Sequence, residues 1–134
     1  MPETLLLIKP DAVERDLIGA IILRLEAAGF KIVELRLVHL NEAEAQRFYQ
    51  VHEGKPFFDK LVAFMSSSPI VAMVLARENA VSDLRELVGA TDPAQAACGT
   101  IRQCFGVDVT RNSVHASDSA ETAAVEIKFF FPDR

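Results

Sequence analysis

The chain has no tryptophan, one tyrosine, two cysteines and no excess of basic charge. Each shortage excludes something. Fourteen Lys and Arg stand against nineteen Asp and Glu, a formal charge of -5, which argues against a bulk electrostatic grip on nucleic acid or an anionic membrane. A polyanionic ligand must then be held by a local cluster of basic residues. A single tyrosine also opposes a base-stacking sheet of the RNA-binding kind. Cys98 and Cys104 share no metal-site spacing with any histidine, so they read as small apolar filler. With an opening Met-Pro-Glu-Thr that carries no basic or long apolar leader, they suggest a reducing, cytoplasmic setting. No apolar run approaches the roughly 20 residues of a membrane span.

What is present is enough for a core. The chain has 134 residues and is 50% hydrophobic, which predicts one domain over residues 1–134. Thr4 to Ile8 form a short apolar run stopped by Lys9-Pro10-Asp11, as a buried strand would be. Ile18, Ile21, Ile22, Leu25 and Ala28 recur at helical spacing, and Gly29 closes that helix. Lys31 to Leu40 alternates, with Val33, Leu35 and Leu37 on one face and Glu34 and Arg36 on the other, the pattern of a half-exposed strand. Asn41 opens a helix to about His52, and Phe57 to Met65 reads as another. Pro69 to Ala76 is a second near-continuous apolar strand, followed by a helix from about Asn79 to Val88 that ends at Gly89.

Residues 89–106 carry little periodic signal and read as a long loop, which in a small domain is usually functional. A weak strand near His115 and a helix over Ala120–Phe131 complete the chain. The order predicts an α/β (α+β) fold, a ferredoxin-like βαββαβ sandwich with an antiparallel four-stranded sheet and an inserted long loop.

The segment Arg111-Asn112-Ser113-Val114-His115-Ala116-Ser117-Asp118-Ser119 is the most informative. It sets one histidine before a cluster of hydroxyls and a carboxylate that can start a helix. Glu126 falls about two turns along that helix, on the side that can fold back over its start. A carboxylate within reach of an imidazole fixes one tautomer and frees the other nitrogen to attack. For His115 alone, a partly buried structural histidine is the better reading. Arg85, Thr91 and Arg102 in or beside the long loop, with Lys9 at a strand end, could cradle phosphate oxygens. Singly these are solvated helix charges, a turn former and a strand-end gatekeeper; together with a nucleophile they read as a phosphate cradle.

Several segments together resemble the nucleoside diphosphate kinase family: Ile8-Lys9-Pro10-Asp11-Ala12-Val13, Phe48-Tyr49, Lys55-Pro56-Phe57-Phe58, Gly89-Ala90-Thr91-Asp92-Pro93, Gly99-Thr100-Ile101-Arg102 and Asn112 to Ser119. They lie in the family's order and span about residues 4 to 130. The resemblance implies transfer of the γ-phosphoryl of a nucleoside triphosphate to a nucleoside diphosphate, by a ping-pong route through a phosphohistidine. It implies that His115 is the nucleophile at Nδ1, with Glu126 and Ser117 orienting the ring and Tyr49 near the transferred group. Lys9 and Asn112 match groups on the ribose hydroxyls, with Lys9 also near the transferred phosphate. Arg85, Thr91 and Arg102 match phosphate ligands, and Phe57 and Val109 match the residues that sandwich the base. It further implies Mg²⁺ carried by the nucleotide phosphates and a homo-oligomer built from dimers.

The chemistry suits that assignment. Phosphoryl transfer needs an in-line nucleophile and positive groups for the equatorial oxygens. A neutral imidazole serves, because imidazole is mostly deprotonated in a neutral cell. Stacking tolerates any base, and no matched side chain reads base edges, so broad base specificity is expected. His39 and His52 have no matched role and are expected at the surface. The Phe129-Phe130-Phe131 run reads as core packing.

The chain departs from the family pattern at Ala116, often glycine, at Gln103-Cys104, often a small residue and Asp, and at Thr110. Alanine at 116 would be strained if that backbone needed a positive φ. The rival readings are a non-catalytic ferredoxin-like nucleotide-binding or regulatory module, and a nucleic-acid binder on the sheet.

Overall fold

A computed structural model describes residues 1–134. Four strands, β1 (Glu3–Ile8), β2 (Lys31–Val38), β3 (Ile70–Ala76) and β4 (Val114–Ala116), form one sheet in the order β2-β3-β1-β4. All three pairings are antiparallel. Seven helices accompany them: α1 (Pro10–Glu14), α2 (Ile18–Ala27), α3 (Glu42–Phe48), α4 (Phe58–Met65), α5 (Ala80–Val88), α6 (Ile101–Phe105) and α7 (Ala120–Phe130). This is the expected split βαβ arrangement.

β1 and β3 occupy the centre, which explains their uninterrupted apolar sequences: a strand covered on both faces has no polar side to alternate. Leu6, Ile8, Met73 and Leu75 pack with Ile21 and Leu25 of α2 and Leu84 and Val88 of α5. Leu5, Leu7, Ala72 and Val74 face the other way, against Val62 and Met65 of α4 and Phe130 of α7. The sheet is therefore covered on both faces. Helix α7 closes the second face, and Phe130 and Phe131 are core as expected.

Local signals set most boundaries. Asn41 and Glu44 form a reciprocal capping box at the start of α3. Ser119 caps α7 by accepting the Thr122 N–H. Gly89 ends α5 with φ 92, and a Cβ there would meet Thr100 Oγ1 at 2.6 Å, so the close approach of the next loop requires glycine.

Four expectations need correction. Helix α3 stops at Phe48 and continues only as a tight 3₁₀ turn, Gln50–His52. The long loop contains a 3₁₀ turn, Pro93–Gln95, and the short helix α6, capped by Thr100. Five-residue helices such as α1 and α6 are too short to display a periodic apolar face. Cys98 and Cys104 are exposed free thiols, not filler; they lie on the outer side of the long loop, where the Arg24 guanidinium donates to Cys104 Sγ at 3.5 Å. On edge strand β2 the apolar side chains are the uncovered ones: Val33, Leu35 and Leu37 are 39%, 49% and 64% exposed.

Candidate active site

One cavity of about 850 Å³ opens beside β4. It is lined by Lys9, Tyr49, Phe57, Arg85, Thr91, Arg102, Val109, Asn112, His115 and Glu126, so every candidate site residue except Ser117 faces it. They come from β1's end, the α3–α4 hairpin, α5, the long loop, the 106–113 loop, β4 and α7, and only the fold brings them together.

His115 sits at the centre of the three-residue β4, paired with Leu7 of β1. That pairing, next to the core strand, explains why so short a strand is firmly placed. Its Nε2 lies 3.0 Å from Glu126 Oε1. A carboxylate only accepts, so Nε2 is the donor, and in the neutral ring the lone pair then falls on Nδ1. Nδ1 takes no hydrogen bond from the protein. Ser117 is buried and does not touch the ring: its hydroxyl donates to the same Glu126 oxygen at 2.6 Å. Ser117 therefore holds the holder. Edge-on contacts with Phe48 and Tyr49, at centroid distances of 5.5 and 6.4 Å, confine the ring further. Burial, and secondarily the Glu126 charge, push the Tyr49 phenol well above its ordinary range, so it remains a neutral hydroxyl.

The basic wall is built from buried cations. Lys9 is 6% exposed, and its ammonium donates to Thr110 O at 2.7 Å and Asn112 Oδ1 at 2.9 Å. Burial lowers its pKa to about 8, with Asp11 opposing and Arg102 adding to the fall. The sign follows: below about pH 8 the buried charge costs folding free energy in full, and that cost fades as pH rises from 8 toward 10.5. Arg102 donates to Gly89 O at 3.0 Å and Val114 O at 2.9 Å, while its Nε is buried without a partner. Desolvation and then the Arg85 charge lower its pKa to about 10, so it stays cationic at neutral pH. Arg85 is exposed on α5 and donates to Ala116 O at 3.0 Å. Asn112 is the hub of the loop, its amide donating to Thr91 O and Val109 O. At the far end, Phe57 and Val109 are 47% and 56% exposed. No cluster of three His, Cys, Asp or Glu side chains that could hold a metal ion occurs in the chain.

The structure also adds residues. His52, expected at the surface, is half buried and lines the cavity between Tyr49 and Phe57, its ring 5.2 Å from Phe57. Asp118 and Glu121 also line the cavity. No spacing rule announces His52; only its place one 3₁₀ turn after Tyr49 does. His39 is exposed, beside Ser66 O. The sequence departures prove mild. Ala116 has no positive φ and pairs with Leu6, Thr110 serves Lys9 through its carbonyl, and Gln103 accepts from Gly99 N–H.

Comparison with known proteins decides the family. The family model for nucleoside diphosphate kinase matches residues 2–134. The chain belongs to the nucleoside diphosphate kinase family. It is 54% identical over 131 residues to the nucleoside diphosphate kinase of Geobacter sulfurreducens, covering 98% of this chain and 96% of that protein. It is 56% identical over 128 residues to that of Pasteurella multocida, covering 96% and 92%. The crystal structure of the Aquifex aeolicus nucleoside diphosphate kinase superposes with a TM-score of 0.95 at 44% identity, over 97% of this chain and 94% of the other. Membership of this kinase family makes the chain a phosphotransferase, and the non-catalytic module falls away. No helix is long and apolar enough to cross a membrane.

Proposed function

We propose that the chain, as one domain over residues 1–134, transfers the γ-phosphoryl of a nucleoside triphosphate to a nucleoside diphosphate through a phosphohistidine on His115. The observation that carries this is the restrained ring: Nε2 is tied to Glu126 while Nδ1 keeps a free lone pair beside a cavity walled by Lys9, Arg85 and Arg102. Nδ1 attacks the γ-phosphorus, the N–P bond forms, and the bond to the β-γ bridging oxygen breaks. The departing nucleoside diphosphate takes the electron pair. An acceptor diphosphate then enters the same cavity and reverses the chemistry.

Phosphoryl transfer asks mainly for positioning and charge stabilisation. Arg85, Arg102 and Thr91 bind the phosphates, Lys9 reaches the transferred group, and Asn112 with Lys9 holds the ribose hydroxyls. Tyr49 contributes a neutral hydroxyl near the reacting centre. Glu126, backed by Ser117, stabilises the positive charge that develops on the ring. Mg²⁺ carried by the nucleotide would supply further charge neutralisation at the phosphates, beside Arg85 and Arg102. Phe57 and Val109 sandwich the base with no polar group to read its edge, which supports broad base specificity.

The uncovered apolar row on edge strand β2 supports assembly into dimers, since unpaired edges invite pairing. A cytoplasmic location fits an enzyme of nucleotide metabolism with two unpaired thiols.

The test is incubation with γ-labelled ATP and no acceptor. The protein should take up label, and GDP or CDP should each discharge it. A protein that transfers phosphate only when both nucleotides are present would rule out the covalent route.

A further inference from the structure

Behind the basic wall lies a buried carboxylate with no part in the scheme above. Asp11, in α1, is 7% exposed. Its Oδ2 accepts the Ser113 N–H at 3.0 Å and lies 3.3 Å from the Arg15 guanidinium, while Oδ1 is buried without a partner. Ser113 is fully buried with φ 78, a left-handed conformation that serine rarely adopts. Such a residue persists only where its surroundings hold it. It stands between Asn112, which holds the Lys9 ammonium, and Val114-His115 of β4. Its carbonyl accepts the Lys9 backbone N–H at 2.9 Å. Arg15 extends the tie, donating to Phe105 O at 2.7 Å and reaching Ser113 Oγ at 3.3 Å.

We propose that Asp11, supported by Arg15, is a positioning residue of the phosphate site: it holds Ser113 in its left-handed turn, keeping Asn112 and His115 in register with Lys9, and its charge sustains the Lys9 ammonium. The inference rests on Lys9 being a nucleotide ligand. The charged groups facing that ammonium are Asp11 from α1, Arg102 from α6 and Asp108 from the 106–113 loop. Asp11 is the stronger of the two carboxylates, and burial is what it opposes. Asp11→Asn keeps the shape and the acceptor for Ser113 N–H but deletes the charge. Arg15→Ala does the reverse, leaving the carboxylate free of its competing guanidinium.

The experiment is Mg-ADP affinity against pH, from about 7 to 9, below the range in which Arg102 loses its charge, with thermal melting to verify folding. In the wild type, affinity should fall as pH passes about 8, where Lys9 loses its proton. In Asp11→Asn the fall should begin roughly one pH unit lower. In Arg15→Ala it should move to higher pH. An Asp11→Asn profile that coincides with the wild type overturns the proposal, as does an Arg15→Ala profile that stays put or moves to lower pH. If Asp11→Asn fails to fold, the Arg15→Ala profile decides alone. Lys9→Arg, which keeps its charge throughout, should erase the alkaline fall. A wild type with no such fall, or a fall that survives Lys9→Arg, would instead overturn Lys9 as a ligand, and this inference with it.

Discussion

The two ends of the cavity are built on opposite principles. At the reacting end Lys9, Arg102 and Asn112 are buried, His115 is held by Glu126, and several side-chain contacts bridge segments far apart in the chain. At the base end Phe57 and Val109 are about half exposed and offer no polar atom of their side chains. The first end fixes charge and direction, as electrostatic stabilisation of a transition state demands. The second offers only a flat surface, which accepts any base. The difference teaches that one cavity can be strict about chemistry and indifferent to the nucleotide, because the two tasks are given to separate walls.

The largest expected effect comes from removing the nucleophile. His115→Ala should lower turnover by roughly 10⁴-fold or more, measured by coupled assay, since no other group on the strict wall can take its place. Arg102→Ala and Arg85→Ala should follow, each costing roughly 10²-fold in kcat/KM by loss of charge stabilisation. They differ in a second respect. Arg102 also satisfies two backbone carbonyls, Gly89 O and Val114 O, so its loss should cost stability as well, on the order of 2 kcal/mol by denaturant titration. Arg85, exposed and bonded only to Ala116 O, should cost clearly less. Equal destabilisation by the two would erase the distinction between a structural and a peripheral cation.

Phe57→Ala sharpens the comparison from the other end. It should weaken adenine, guanine, cytosine and uracil diphosphates alike, by about 1–3 kcal/mol, with little change in kcat. Selective loss of one base would reveal edge reading that neither Phe57 nor Val109 can supply. The smallest effect is expected at His39, whose substitution by alanine should leave turnover within a few-fold of wild type because it lies outside the cavity. His52→Ala should raise KM more than it changes kcat, since its ring stands on the wall between the two ends.

Legibility in the sequence followed the range of the interaction. The buried strands β1 and β3, the glycine stops after α2 and α5, and the caps at Asn41 and Ser119 were readable because neighbours within a few residues determine them. The charge cradle was readable only through the family's spaced segments, because its residues meet by folding and not by spacing. What stayed hidden was short or remote. Helices α1 and α6 are a little over one turn each. His52 enters the cavity only because the chain tightens into a 3₁₀ turn after Tyr49. Asp11 finds Ser113 across 102 residues. Ser117 reaches the imidazole only through Glu126, a relay that no local spacing reveals.

The central claim is that Glu126 holds Nε2 so that Nδ1 alone is free to attack. Nuclear magnetic resonance of the phosphorylated protein, with ³¹P–¹H couplings to the imidazole ring, tests it most directly. The account predicts a single phosphohistidine, on Nδ1 of His115, that disappears on adding a nucleoside diphosphate. Phosphate on Nε2, or on the Ser117 hydroxyl, would contradict it.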